Sequence, residues 1–257
     1  MEEESEKYLV ESMPVPKAVA TLAIPTVISQ AVTMIYNLAD TFFIGQIGDP
    51  YMVAAVSLVS PWFNLLTALG NLFGIGGSSL ISRMLGAHNH GDIRFVSAFS
   101  IWGGAAATLV FSAATYFQRD VLLDFLGASR QTMEYAESYM FWVVVLGGAP
   151  TVVSLVLGHL LRSEGFARQA SAGMMFGGVL NVALDPLLIF VIRMDVTGAA
   201  VATALSNTAS VIFFSVQYFR LGEKAAVSLN PIFFTIRFVR PVFSVGLASE
   251  LATALGN

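Results

Sequence analysis

The chain has 257 residues, 56% of them hydrophobic and 12% charged, against about 25% charged residues in a soluble domain. With 20 Phe, 7 Tyr and 3 Trp this excludes a disordered chain, and the lack of any Cys excludes a disulfide scaffold, thiolate metal sites and a Cys nucleophile. The net charge of −4 argues against a nucleic-acid partner, which calls for a basic patch; with a mean hydropathy of +0.72, an all-α membrane protein remains.

The first 17 residues, "MEEESEKYLVESMPVPK", have no basic n-region and no small-residue cleavage site, so 1–17 is expected to be a cytoplasmic leader. Six long apolar stretches follow at about 18–44, 51–81, 95–117, 135–161, 170–192 and 196–219, with a seventh beginning near 238. Each is long enough to cross about 30 Å of hydrocarbon as a helix, whereas a barrel strand would be about ten alternating residues. With the N-terminus inside, one side receives Lys7, Lys17, Arg83, Arg94, Arg162, Arg168, Arg220, Lys224, Arg237 and Arg240. The other side receives Arg119, Arg130 and Arg193. Ten against three sets the orientation by the positive-inside rule, in a multi-pass protein of the plasma or inner membrane.

The segments "LAIPTVISQAV" (Leu22–Val32) and "VGLASELATAL" (Val245–Leu255) align, as the first helices of two parallel repeats would. The expected organisation is a leader at 1–17, a six-helix lobe at 18–220, a cytoplasmic linker at 221–240 and a truncated seventh helix at 238–257. On this reading the C-terminal lobe is absent and the chain is a fragment.

Three of the 17 acidic residues, Asp40, Asp185 and Glu250, fall within spans. A carboxylate at the bilayer centre costs at least about 2.5–3.5 kcal/mol on insertion scales and marks a cavity or a partner. Asp185 lies roughly 24 Å along its helix from Gln169, and Thr203 roughly 12 Å from the outer end of the next, at 1.5 Å per residue. Asp40 lies in the same outer half. Asn181 and Asp185 are four apart and share a face, as do Tyr36 and Asp40. Pro186 cannot donate, which frees the Val182 carbonyl for an ion or water. Two carboxylates, an amide and hydroxyls form an oxygen-only set suited to Na⁺ or to a shared proton, since two adjacent acids cannot both stay ionised cheaply. The same residues would also serve as a hydrogen-bond network joining helices, and Asp40 would also serve as a helix-end group in interfacial water.

Gln30, Asn37, Asn64, Asn71 and Asn207 line a cavity or pair across helices; the sequence leaves both open. His159 is expected at the membrane interface beside Arg162, and His88 and His90 in a loop. "GIGGSS" (Gly74–Ser79) is followed by no Lys and reads as helix packing, not a phosphate loop. The ten Met suit a plastic apolar surface and ordinary core filling alike. Pro25, Pro61, Pro150 and Pro186 mark expected kinks.

"IPTVISQAVTMIYNLADTFFIGQIGD" (Ile24–Asp49) resembles the first helix of the multidrug and toxic compound extrusion (MATE) family, in its DinF/MepA-like or archaeal-type branch. "ISRMLGAHNHGD", "LRSEGFARQA" and "GVLNVALDPLLIF" with "TGAAVATALS" agree, so the resemblance covers essentially the whole chain as an N-terminal lobe. It implies one lobe of a twelve-helix antiporter that expels organic cations and amphipathic compounds in exchange for Na⁺ or H⁺, with no other cofactor. It also implies a cation site at Asp40, Asn181, Asp185 and Thr203, where Na⁺ would bind, with Glu250 in support; Tyr36 is a supporting candidate by its spacing from Asp40. The implied partners are a small-molecule substrate, the bilayer and the missing C-terminal lobe in cis.

The expected function is therefore secondary active multidrug efflux. The alternatives are a flippase of lipid-linked oligosaccharide and a non-transporting fragment or scaffold. The flippase requires basic residues deep in the spans for a pyrophosphate, and none is expected. Nothing assembles a nucleophile with a base, or a metal with an open position, which argues against an enzyme.

Overall fold

Helix α1 (Val15–Gln46) winds through a run of apolar side chains and stops where Gly48 adopts φ +81°. The chain turns there, and Asp49 caps α2 (Pro50–Gly86) by accepting the Tyr51 N–H at 2.8 Å, with Pro50 preset at the first helical position. Then follow α3 (Ile93–Phe125), α4 (Met133–Leu146), α5 (Gly148–Ser163), α6 (Ala167–Val191), α7 (Asp195–Leu221) and α8 (Val239–Gly256). The computed structural model describes residues 15–256. Most of the expected leader therefore lies outside the described residues, as do the side chains of Gln30, Asn37 and Glu250.

Helices cover all the expected spans and overrun most of them by a few residues. Among the described residues four helices are long and apolar enough to cross a membrane, and α4 with α5, bent by 45° at Gly147, makes a fifth. That bend lies one turn before Pro150, whose missing N–H leaves the Leu146 carbonyl without its helical donor. Three spans also widen into a π-turn, at Phe99–Gly103, Phe141–Leu146 and Leu187–Val191. The second of these is stitched by Ser112, whose hydroxyl donates to the Val144 carbonyl at 2.8 Å.

Two apolar clusters fill the two ends of the bundle. Leu66, Phe73, Ile81, Phe99, Leu160 and Phe214 belong to one, and Ile44, Val59, Leu123, Met140 and Ala200 to the other. Buried polar side chains from α3, α5, α6 and α7 lie among them, including Thr151, Asn181, Asp185 and Ser206. Phe117, Phe125 and Phe219 are exposed by 82%, 84% and 79%, as expected of side chains that face lipid.

Helix α8 lies on α2 with no side chain between them at two points. A Cβ on Gly76 would collide with the Val242 carbonyl, and one on Gly246 with the Leu72 carbonyl. The residue pairs Leu72/Gly76 and Val242/Gly246 are each four apart, so each helix presents a glycine one turn from the carbonyl it offers its partner.

Between α7 and α8 the chain is pinned back onto the lobe. Glu164, just after α5, accepts the N–H groups of Ala226 at 2.5 Å and Val227 at 3.0 Å. Ser97 accepts the Ser228 N–H at 3.0 Å, and the Trp102 indole donates to the Leu229 carbonyl at 3.0 Å. Burial pushes the Glu164 carboxyl up from 4.5 to about 7, against the opposing pull of the two N–H groups. A raised acid binds its proton more tightly in the folded than in the unfolded state. Its contribution is therefore full below about 4.5 and lost as the pH rises through about 7. Amide exchange at Ala226 and Val227, corrected for intrinsic rate, should speed up from pH 6 to pH 8, and Glu164→Gln should flatten that dependence. Flat protection in the unmutated chain would refute this coupling.

Candidate functional site

Helix α6 is stripped of side chains on two flanks. A Cβ on Gly173 would overlap the Phe214 ring and one on Gly177 the Ser210 hydroxyl, so α7 lies hard against α6. On the other flank a Cβ at Gly178 would lie 3.1 Å from Cδ1 of Tyr36, so α1 closes there. One and two turns further along α6, Asn181 and Asp185 are thereby fixed between α1 and α7.

The Asn181 amide nitrogen lies 3.5 Å from Oδ1 of Asp185 and 3.4 Å from the Thr203 hydroxyl, both long contacts for its two donors. Asp185 is fully buried and Asn181 is 4% exposed. Oδ2 of Asp185 and Oδ1 of Asp40 are both buried without a hydrogen-bond partner. The two carboxylates act on one another electrostatically. An orphaned buried carboxylate oxygen costs about 1–3 kcal/mol or more, so two of them within electrostatic reach form a place for positive charge.

The structure thus brings together Asn181, Asp185 and Thr203, and turns Asp40 toward them from α1. Tyr36 lines the adjoining cavity. The side chain of Glu250 lies outside the described residues. Tyr139, on α4, is a further member of the group: it is buried and within electrostatic reach of both Asp40 and Asp185. It sits roughly 9 Å from the start of α4 at 1.5 Å per residue, close to the depth of Thr203, so depth arithmetic extended to hydroxyls would have found it.

A cavity of about 120 Å³ adjoins the cluster, with Tyr36, Asn181 and Thr203 among its lining residues, together with His159, Arg162 and Met174. His159, expected near the inner end of its span, lines this cavity. Arg162 also turns inward, its guanidinium against the Met174 sulfur, because α5 rotates that face toward α6. The spans are therefore not free of cavity-facing basic charge. Asn207 does both things left open for it, lining the cavity and donating to the Thr151 hydroxyl at 2.9 Å. Drug-sized ligands fill pockets of about 300–1,000 Å³, so this cavity accommodates only a few waters or part of a ligand.

Apolar helices around a carboxylate–amide–hydroxyl cluster beside a polar cavity define one lobe of a membrane transporter. Residues 25–187 match the MatE family, and the chain belongs to the MATE family of transporters. It is 34% identical over 248 residues to the multidrug export protein MepA of Staphylococcus saprophyticus, covering 96% of this chain and 55% of MepA. It aligns with a MATE crystal structure in the straight conformation at a TM-score of 0.86 and 29% identity, covering 97% of this chain and 55% of that one. A MATE structure in the bent conformation aligns at 0.79 and 30% identity, covering 93% and 53%. The chain spans about half the length of the curated relatives it matches.

Proposed function

We propose that the chain forms the N-terminal lobe of a secondary active multidrug antiporter, in which Asp40, Asn181, Asp185 and Thr203 bind the coupling cation, Na⁺ or H⁺. The observation that carries this is the pair of buried, unpartnered carboxylate oxygens on Asp40 and Asp185, contributed by two different helices. A network that served only to join helices would leave no such oxygens. The exported compounds are small molecules, by analogy with the multidrug export protein MepA; the family resemblance makes them amphipathic or cationic, and the small volume of the cavity makes a second lobe part of the substrate site. The protein resides in the cell membrane with its N-terminus in the cytoplasm.

Coupling requires the cation to bind one conformation better than the other. A cation bridging Asp40 and Asp185 draws α1 onto α6 and stabilises the conformation in which the two touch. Without it the two carboxylates repel, and α1 parts from α6. In a transporter carrying both lobes, Asp40→Asn is expected to reduce ion-driven efflux at least about tenfold, a coupling loss of about 1.4 kcal/mol. Undiminished ion-driven efflux would sink the proposal.

A further inference from the structure

A second recess lies away from the carboxylate cluster, where α2 ends, α3 begins and the chain leaves α7. It has a volume of about 610 Å³, and its walls include His90, Arg94, Glu164 and Lys224. Oε1 of Glu164 accepts the Ala226 and Val227 N–H groups and its Oε2 has no hydrogen-bond partner, so the recess sets two cations, Arg94 and Lys224, against one carboxylate and is positive on balance. Among the described residues neither Arg94 nor Lys224 makes an ion pair. The Arg94 guanidinium lies 5.2 Å from the Phe95 ring centre and 4.8 Å from that of Phe233. Such contacts hold a guanidinium by its face and leave its in-plane N–H donors for an anion.

What adjoins the recess is apolar and exposed. Phe233 packs edge-on to Phe95, and Phe234 stacks on Phe99, so this stretch of chain runs beside the first turns of α3. Ile232 is 78% exposed, Ile236 75% and Phe234 44%. Trp102 is 41% exposed beside them, its indole N–H tied to the Leu229 carbonyl. Exposed aliphatic and aromatic side chains at the end of a membrane span, with cations just beyond, match the order of groups along a phospholipid: acyl chain, glycerol, phosphate. A soluble anion would need the cations but not the apolar rim.

We propose that this recess binds the phosphate head group of an anionic membrane lipid, with Arg94 and Lys224 on the phosphate oxygens, His90 at the rim, and Ile232, Phe234 and Ile236 among the acyl chains. Arg94 belongs to α3 and Lys224 to the segment that leaves α7, so one head group ties that segment to the lobe. The assignment does not depend on the coupling site or on which leaflet the recess faces.

The test is lipid retention by the purified chain, read by native mass spectrometry with phosphatidylglycerol and phosphatidylcholine as probes. The chain is expected to retain phosphatidylglycerol about thirtyfold better, at about 1 kcal/mol for each of the two basic residues. The Arg94→Gln/Lys224→Gln variant should bring that ratio close to one, and Arg237→Gln/Arg240→Gln, which removes equal charge outside the recess, should leave it. Ile232→Ser/Ile236→Ser should reduce retention of phosphatidylglycerol with both cations in place, which tests the assignment even if the first variant does not fold. Equal retention of the two lipids by the unmutated chain, or equal loss in both Arg/Lys variants, overturns the site. Displacement of the lipid by inorganic phosphate alone overturns the lipid as its source.

Discussion

Asp185→Asn is expected to stabilise the purified chain in Na⁺-free buffer at alkaline pH, and to abolish the further stabilisation that Na⁺ or acid gives the unmutated chain. Asp185 has no exposed surface, one oxygen without a partner, and Asp40 opposite it. While both are charged, burial and mutual repulsion work against the fold, and only a cation or a proton offsets them. Asparagine has nearly the same shape and no charge, so the liability and the ion response disappear together. A ligand at a hundred times its dissociation constant stabilises by about 2.7 kcal/mol, and that is the response at stake. Thermal unfolding in NaCl and in choline chloride, across pH, measures it. If Asp185→Asn keeps the full Na⁺ and pH response, the ion is bound elsewhere. Asp40 is only half-buried, so Asp40→Asn should reduce the response and relieve less strain.

The second large effect is expected at Gly76→Val. The β-carbon would strike the Val242 carbonyl, part of the α8 backbone that no rotamer change can move aside. Overpacking of this kind costs about 1–3 kcal/mol. Here the relief available is separation of α8 from α2, which also undoes the contact of Gly246 with the Leu72 carbonyl. Hydrogen exchange should show faster amides along α8 and unchanged protection in α6 and α7. Uniform loss across all helices would mean that α8 is integral to the lobe and not a separable element.

The positions of the spans were legible because a bilayer demands long apolar runs, and only helices meet that demand here. Their ends were less so: α2 continues to Gly86 past Arg83, since hydrogen bonding carries a helix beyond the hydrocarbon that hydropathy detects. The prolines pointed to irregularity, but not to its form. Pro150 marked span 4, yet the bend falls at Gly147, next to the Leu146 carbonyl that Pro150 has no N–H to pair, and the π-turn at Phe99–Gly103 has no proline inside it. At the site, the four-residue spacing of Asn181 and Asp185 and the depth of Thr203 foretold the contacts that the structure shows. Arg162 lies just past the apolar run, at the helix end, but depth along a helix says nothing of rotation about its axis: Arg162 is four residues from Gly158, which lines the same cavity, and so shares its face. Tyr139 is hidden in the sequence because its hydroxyl sits on an aromatic ring counted among the hydrophobic residues.

Helices α6 and α7 touch through missing side chains at Gly173 and Gly177, and again where Gly198 meets the Leu188 backbone. Such a pair has almost no slack, so Asn181, Asp185 and Thr203 travel as one piece, like the fixed jaw of a calliper. On the coupling proposed above, Asp40, carried by α1, is the sliding jaw. The cluster therefore gauges a single distance, and whatever fills it registers nothing but the width of that gap.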